Sequence, residues 1–301
     1  MYDLIVVGGG PAGLTAAIYA IRKRLDVLLI SEDLGGKTNY HLELPDQETY
    51  LVIRGVEIIE KFRRELEYLN FARRMERVEH VSRHNGHFSV RLENGDELET
   101  KAVVIATGTR QKKMKVPGER EYMSRGLCYS AISYAPLFID KKTVVIGDGD
   151  LALRSAAELA TVAQHVHIVG PTSAALATPL GMKLQNSDNV TILEGYSVAR
   201  VLGNGYAERI VVKDPEGNES DIPADGTFVE MGLVPNSAMI ADLVTTDDQG
   251  FIEVDCQNRT DVPGVFAAGD VTSIFAEQVL VAVGEGVKAS LSAYDYLLRL
   301  A

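Results

Sequence analysis

Gly8, Gly10 and Gly13 stand at G-x-G-x-x-G spacing, after the apolar run Asp3–Val7 and before an Ala-rich stretch. Each glycine has its own task in holding a dinucleotide. The first permits a tight turn, the second lets a pyrophosphate reach the backbone, and the third lets helix and strand pack closely. Pro11 and Ala12 then open a helix whose free N–H groups and positive dipole end face the phosphates. An acid near the end of the next strand completes such a site by holding a ribose hydroxyl. Glu32 is the choice for that contact, with Ser31 the competing position.

A second constellation has the same shape: Gly147, Gly149 and Ala152 read G-x-G-x-x-A, with Asp148 and Asp150 inside the loop. The next strand end departs from the pattern. A site for NADP needs basic groups there for the 2′-phosphate, and a site for NAD needs an acid for the ribose. The chain reads Val169-Gly170-Pro171-Thr172-Ser173-Ala174 at this point, and no Asp, Glu, Lys or Arg occurs between Glu158 and Lys183. The phosphate turn is present without its selector. That argues against NAD(P)H as the working reductant and leaves three outcomes: weak or absent nicotinamide binding, another nucleotide (even a second flavin), or an empty relic.

Both loops need a strand before them and a helix after them, and the pattern supplies these. Asp3–Val7 and Asp26–Ile30 read as buried strands around a helix over Leu14–Arg24, which is a βαβ unit. Thr143–Ile146 and His165–Val169 repeat the arrangement around a helix ending near Ala163. Apolar residues at helical spacing predict a helix over Gly55–Leu69. Asn94-Gly95 marks a turn between strands Phe88–Leu92 and Glu97–Glu99, and Val103–Ala106 is read as a further strand. Val265–Asp270 reads as a strand and Glu277–Leu298 as a long helix. The fold class is α/β, with two Rossmann-like dinucleotide-binding domains.

Composition narrows the partners. At 301 residues the chain suits two domains, and its net charge of −12 argues against nucleic acid or an anionic membrane as the main partner. No apolar run is long enough for a membrane span. The first strand begins at about Asp3, which leaves no room for a signal peptide, so a cytoplasmic location is expected. Cys128 and Cys256 are the only cysteines, too few for a disulfide framework; both are read as structural. The histidines His80, His84, His87, His165 and His167 show no metal-ligand spacing, and no metal is assigned. The run Gln111–Lys115 is read as a solvated hinge.

Further motifs connect the two loops. Gly35-Gly36-Lys37 comes after the second strand, and Ala106-Thr107-Gly108 precedes Val116-Pro117-Gly118-Glu119. Gly232-Leu233-Val234-Pro235-Asn236 and Val265-Phe266-Ala267-Ala268-Gly269-Asp270 come later, with Gln278-Val279 at the head of the last helix. In this order and nearly end to end, the chain resembles the thioredoxin reductase family of flavoproteins with two dinucleotide-binding domains. The resemblance implies that the first loop holds FAD and that the FAD domain is discontinuous, spanning 1–115 and 240–301. The second domain, 116–239, is inserted. It further implies flavin contacts from Gly36, Lys37 (where the family usually has Gln), Thr107, Gly108 and Gly269. The Asp270 carboxylate takes a ribityl hydroxyl, and the backbone at Gln278 and Val279 lies over the ring. A homodimer is implied as well.

The resemblance fails at two places. Where the family carries C-x-x-C-D against the flavin, this chain has Ser130, Ser133 and Tyr134. A serine hydroxyl cannot form a disulfide or relay two electrons. Where the family carries His-Arg-Arg for the NADPH 2′-phosphate, the chain has Gly170-Pro171-Thr172. The reading is therefore an FAD-dependent oxidoreductase passing electrons between flavin and a partner, such as a ferredoxin- or thioredoxin-type carrier, without an internal disulfide. Two alternatives stand beside it. One is a thioredoxin reductase or diflavin-type disulfide oxidoreductase with its cysteines replaced by serine; the other is a non-catalytic flavin sensor. Tyr40, His41 and Tyr134 are candidates to stack on the flavin.

Overall fold

The computed structural model describes residues 1–39, 42–43, 55–68, 72–129, 134–274 and 276–300. The chain divides into two compact units, one built from 1–39, 54–110 and 234–301, the other from 111–233 with Leu42 and Glu43. Sequence pattern predicts the crossings near 115/116 and 239/240. They fall earlier, and hydrogen bonding gives the reason. Asn236 is tied to Thr107 and Gly108: its N–H donates to the Gly108 carbonyl at 3.0 Å, and Thr107 Oγ1 donates to its carbonyl at 2.6 Å. Met239 and Ile240 pack with the first unit's core.

The first unit opens with β1 (Tyr2–Val7), α1 (Pro11–Arg22) and β2 (Val27–Ile30). It continues through α2 (Gly55–Tyr68), β3 (Arg73–Arg74), β4 (Val78–His84), β5 (His87–Leu92) and β6 (Glu97–Ile105). β7 (Thr109–Gln111) leads out to the second unit. β6 is one strand, although the sequence reads as two pieces. Polar Thr100 and Lys101 separate the two pieces, yet Thr100 is fully buried with its hydroxyl donated to the Ala102 carbonyl at 2.9 Å.

The second unit begins with α3 (Glu119–Tyr122), β8 (Leu127–Cys128), β9 (Lys142–Ile146), α4 (Asp150–Leu159) and β10 (His165–Val169). α5 (Ser173–Leu176), α6 (Pro179–Gln185) and β11 (Val190–Leu193) come next. An antiparallel sheet of β12 (Ser197–Gly203), β13 (Ala207–Lys213) and β14 (Glu219–Pro223) precedes β15 (Gly226–Val229). Its main sheet is parallel, in the order β11-β10-β9-β15-β8. β16 (Leu233–Pro235) returns the chain, and β17 (Val265–Ala267) and α7 (Val279–Leu298) complete the first unit.

In the first unit's sheet the order is β3-β2-β1-β6-β5-β4, with β17 also on β6. β1 runs parallel to β2 and β6, and Val7 faces Ile30 on one side and Ile105 on the other. Both faces are covered, so β1 reads as an unbroken apolar run: Leu4 and Val6 enter one core, Ile5 and Val7 the other. Small residues let α7 lie close to α1. A side chain at Gly286 would come within 2.2 Å of the Ala12 carbonyl oxygen. Among the described residues no helix is long and apolar enough to cross a membrane.

Candidate dinucleotide sites

The chain leaves β1 through Gly8, whose φ of +112° suits glycine; a Cβ there would lie 2.3 Å from the Ala106 carbonyl oxygen. A Cβ on Gly13 would lie 1.8 Å from the Gly8 carbonyl oxygen, so the first turn of α1 rests directly on the strand end. Gly10 differs, since a side chain there would meet nothing within 4 Å. It is the N-cap of the 12-residue α1, which no side chain caps and which Pro11 begins. The open side of the turn is thus bare backbone at the positive end of a helix dipole, and it fits a pyrophosphate.

The neighbouring loops close on this turn. Gly35 donates its N–H to the Gly9 carbonyl at 2.7 Å, and Gly36, with φ +56°, stands against Gly10. The Ser31 hydroxyl lies against Gly9, while Glu32 is exposed at the end of β2. Thr107 and Gly108 come after β6 beside Gly8, and Gly108 has φ +63° with open space on its side-chain face. Gly269 has φ +76°, which ends β17 at Ala267 rather than at Asp270.

Lys37 occupies the middle of the group. Its Nζ lies 2.7 Å from Asp270 Oδ2 and 3.4 Å from Glu277 Oε2. Asp270 Oδ1 accepts no hydrogen bond from the described residues, which leaves that oxygen for a ligand hydroxyl. Burial pushes the Glu277 carboxyl up, against the opposing pull of Lys37. The helix α7 starts at Val279 with Gln278 as an extended N-cap and no capping side chain. Sequence reasoning misses Glu277. It misses Glu285 too, whose Oε2 accepts the Gly269 N–H at 2.9 Å. Neither sits in a glycine motif; only the fold brings them to the loops.

The second turn keeps the geometry of the first. A Cβ on Gly147 would lie 2.3 Å from the Glu230 carbonyl oxygen and 2.8 Å from Ala152 Cβ, whereas Gly149 faces open space as the uncapped N-cap of α4. Asp150 pairs with Arg154 one turn on, at 2.6 Å. Thr172 donates its N–H (3.3 Å) and its hydroxyl (3.2 Å) to the Asp148 carbonyl, fixing the loop. Two acids that the sequence leaves unassigned lie here. Glu194 comes just after β11, beside the end of β10, and accepts the Ser173 hydroxyl. Glu230, buried after β15, accepts the Ser155 hydroxyl at 2.9 Å.

Of the positions matching the dithiol motif, Ser130 and Ser133 lie outside the described residues, as do Tyr40 and His41. Tyr134 and Cys128 are half-buried and pack against the second unit's core. Cys256 corrects the reading of a structural thiol in a strand: it is exposed on a turn. Gln111–Lys115 is more than a solvated hinge. Buried Glu119 accepts the N–H groups of Met114 (2.8 Å) and Lys115 (2.7 Å) and the Tyr129 hydroxyl (2.8 Å). Burial, then the Glu119 carboxylate, pushes the Tyr129 phenol up, so it stays a donor. Two histidines each meet a carboxylate, His80 with Asp242 at 3.0 Å and His87 with Glu99 at 3.5 Å. Among the described residues no three His, Cys, Asp or Glu are grouped to hold a metal.

Comparison with known proteins gives the family. The family described as pyridine nucleotide-disulphide oxidoreductase matches residues 2–286. An alkyl hydroperoxide reductase subunit of Pseudomonas aeruginosa is 37% identical, over 99% of this chain and 58% of its own length. The Staphylococcus aureus protein of the same name is 34% identical, over 99% and 59%. The chain therefore spans less than two thirds of these relatives. Among solved structures, thioredoxin reductase from Streptococcus pyogenes has a TM-score of 0.89 at 33% identity, covering 99% of both chains. Thioredoxin reductase from Giardia duodenalis reaches 0.88 at 26%, also covering 99% of both. The chain belongs to the pyridine nucleotide-disulphide oxidoreductase family, as a thioredoxin reductase-like FAD flavoprotein.

Proposed function

We propose that this chain is an FAD-dependent oxidoreductase that passes electrons between its flavin and a partner without an internal disulfide. One observation carries the reading: a complete glycine cradle stands in a chain whose only cysteines are Cys128, packed into a core, and Cys256, exposed on a turn. When bound, FAD supplies the redox chemistry, and the protein positions and tunes it. Gly8, Gly10 and Gly13 with the head of α1 hold the pyrophosphate, and Glu32 holds the adenosine ribose. Asp270 takes a ribityl hydroxyl through Oδ1, and Thr107, Gly108 and the backbone at Gln278 and Val279 border the ring. Ser130 and Ser133 take the dithiol's place and Tyr134 the acid's, with hydroxyls that cannot form a disulfide.

The partner is a protein carrier of the ferredoxin or thioredoxin kind, in keeping with the reductase names of the relatives. A homodimer is also proposed. Supporting it, α7 exposes Leu280, Leu291 and Leu298, which recur along one side of the helix.

The test is an anaerobic titration of the purified protein, following the flavin absorbance band. The expected result is a yellow protein that dithionite bleaches and that micromolar NADPH or NADH leaves oxidised for seconds. Rapid bleaching by either nucleotide would replace this reading with a nicotinamide-driven reductase. A colourless protein that does not take up FAD would end it.

A further inference from the structure

We infer that Lys37 sets the flavin's reduction potential, as the cation that the described residues place among the carboxylates of the site. The inference rests on the proposed FAD site. The geometry locates the charge. Lys37 reaches Asp270, the ribityl position, with one contact, and Glu277, next to the Gln278 cap of α7, with the other. It therefore stands between the ribityl chain and the ring end of the proposed site. Its loop is fixed to the first turn through Gly35 and Gly9, and the two carboxylates hold the ammonium.

The acidic groups around it are Asp270 and Glu277, with Asp33 accepting the Gly36 N–H and Glu285 accepting the Gly269 N–H. Without Lys37 these carboxylates face an incoming negative charge, and the uncapped head of α7 is left to offset it. Two electrons and one proton convert the neutral oxidised ring into a reduced anion. A nearby cation stabilises that anion and nearby carboxylates oppose it. Glutamine in place of Lys37 would leave this imbalance in full.

The experiment measures the midpoint potential of FAD-loaded protein by dye equilibration under dithionite, in wild type, Lys37→Gln, Lys37→Arg and Glu277→Gln. Lys37→Gln is expected to shift the reduction equilibrium at least tenfold toward the oxidised form, about 30 mV for this two-electron couple. Lys37→Arg is expected to stay near wild type, and Glu277→Gln to move in the opposite direction from Lys37→Gln. An unchanged potential in Lys37→Gln, or an equal fall in Lys37→Arg, overturns the assignment while leaving the FAD reading intact. If Lys37→Gln no longer retains flavin, Lys37→Met decides: a lower potential supports the assignment, and no fall overturns it. A wild-type chain that binds no FAD overturns both.

Discussion

Ser173 donates its hydroxyl to the Glu194 carboxylate, which fixes an acid beside the loop that leaves the second parallel sheet after Val169. This is where an adenosine ribose lies in a βαβ dinucleotide site. An acid there accepts the 2′-hydroxyl of NADH and repels the 2′-phosphate of NADPH. Whatever nicotinamide nucleotide this turn holds, however weakly, is expected to be NADH in preference. Calorimetric titration should give NADPH a dissociation constant about fivefold higher, the effect of roughly 1 kcal/mol. Glu194→Gln should narrow the gap. Equal or tighter NADPH binding to wild type would remove Glu194 from this role.

Gly10 and Gly13 are three residues apart and should respond to alanine in opposite ways. A methyl on Gly13 collides with the Gly8 carbonyl, and overpacking of this kind costs about 1–3 kcal/mol. Gly13→Ala should therefore lose both thermal stability and flavin. A methyl on Gly10 meets only open space, so Gly10→Ala should keep its fold by circular dichroism. It should still bind FAD about tenfold more weakly, a loss of roughly 1.4 kcal/mol. Undiminished FAD affinity in Gly10→Ala would place the pyrophosphate elsewhere.

Glu119 ties together three donors, two backbone N–H groups and the Tyr129 hydroxyl. Glu119→Ala should cost about 3 kcal/mol, because it leaves three part-buried donors unpaired. Tyr129→Phe removes one donor together with its bond and should cost about 1 kcal/mol. Urea unfolding monitored in the second unit distinguishes them. Equal losses would mean that the backbone contacts of Glu119 contribute nothing.

His167 gives that unit a pH dependence. Its Nδ1 is buried without a partner among the described residues, and burial, with His165 and Lys142 adding to it, holds the ring's pKa below the usual 6.5. The folded state thus binds fewer protons than the unfolded state once pH drops below that value. This contribution to stability is complete above pH 6.5 and is lost as pH falls through the lowered folded value. Thermal unfolding of His167→Gln should show a shallower decline over that range than wild type. Parallel declines would mean that the ring titrates alike in both states.

The glycine loops and their flanking strands are legible in the sequence because each rule there is local: a buried run, a turn only glycine can make, an uncapped helix head. α4 reads four residues too long because Thr161 and Ala163 continue its composition. The helix in fact stops at Leu159, and the Thr161 hydroxyl turns back to the Glu158 carbonyl at 2.6 Å. Glu194 escapes notice for a different reason. The sequence around Gly170 shows no acid, and only the pairing of Val169 with Leu193 brings one in from the next strand. Lys37 is visible as a departure from Gln, but its two carboxylates are far along the chain, and no periodicity announces a salt bridge of that span. Cys256 is misread because alternation in Ile252–Val254 suggests a strand that the Asp255 turn cuts off, with Asp255 accepting from Gln257 and Arg259.

The close seating of Gly286 on Ala12, and of β17 on β6, has a consequence in time. Residues 2–105 cannot complete their sheet or cover the alanine face of α1 until residues 265–298 have left the ribosome. The inserted residues 111–233, with Leu42 already made ahead of them, hold both layers of their core and can fold as they emerge. The unit proposed to hold FAD is therefore begun before the inserted unit and completed after it. Throughout synthesis of the inserted unit its apolar strands wait for partners, and the slow closure of distant contacts makes that interval the chain's exposure to aggregation.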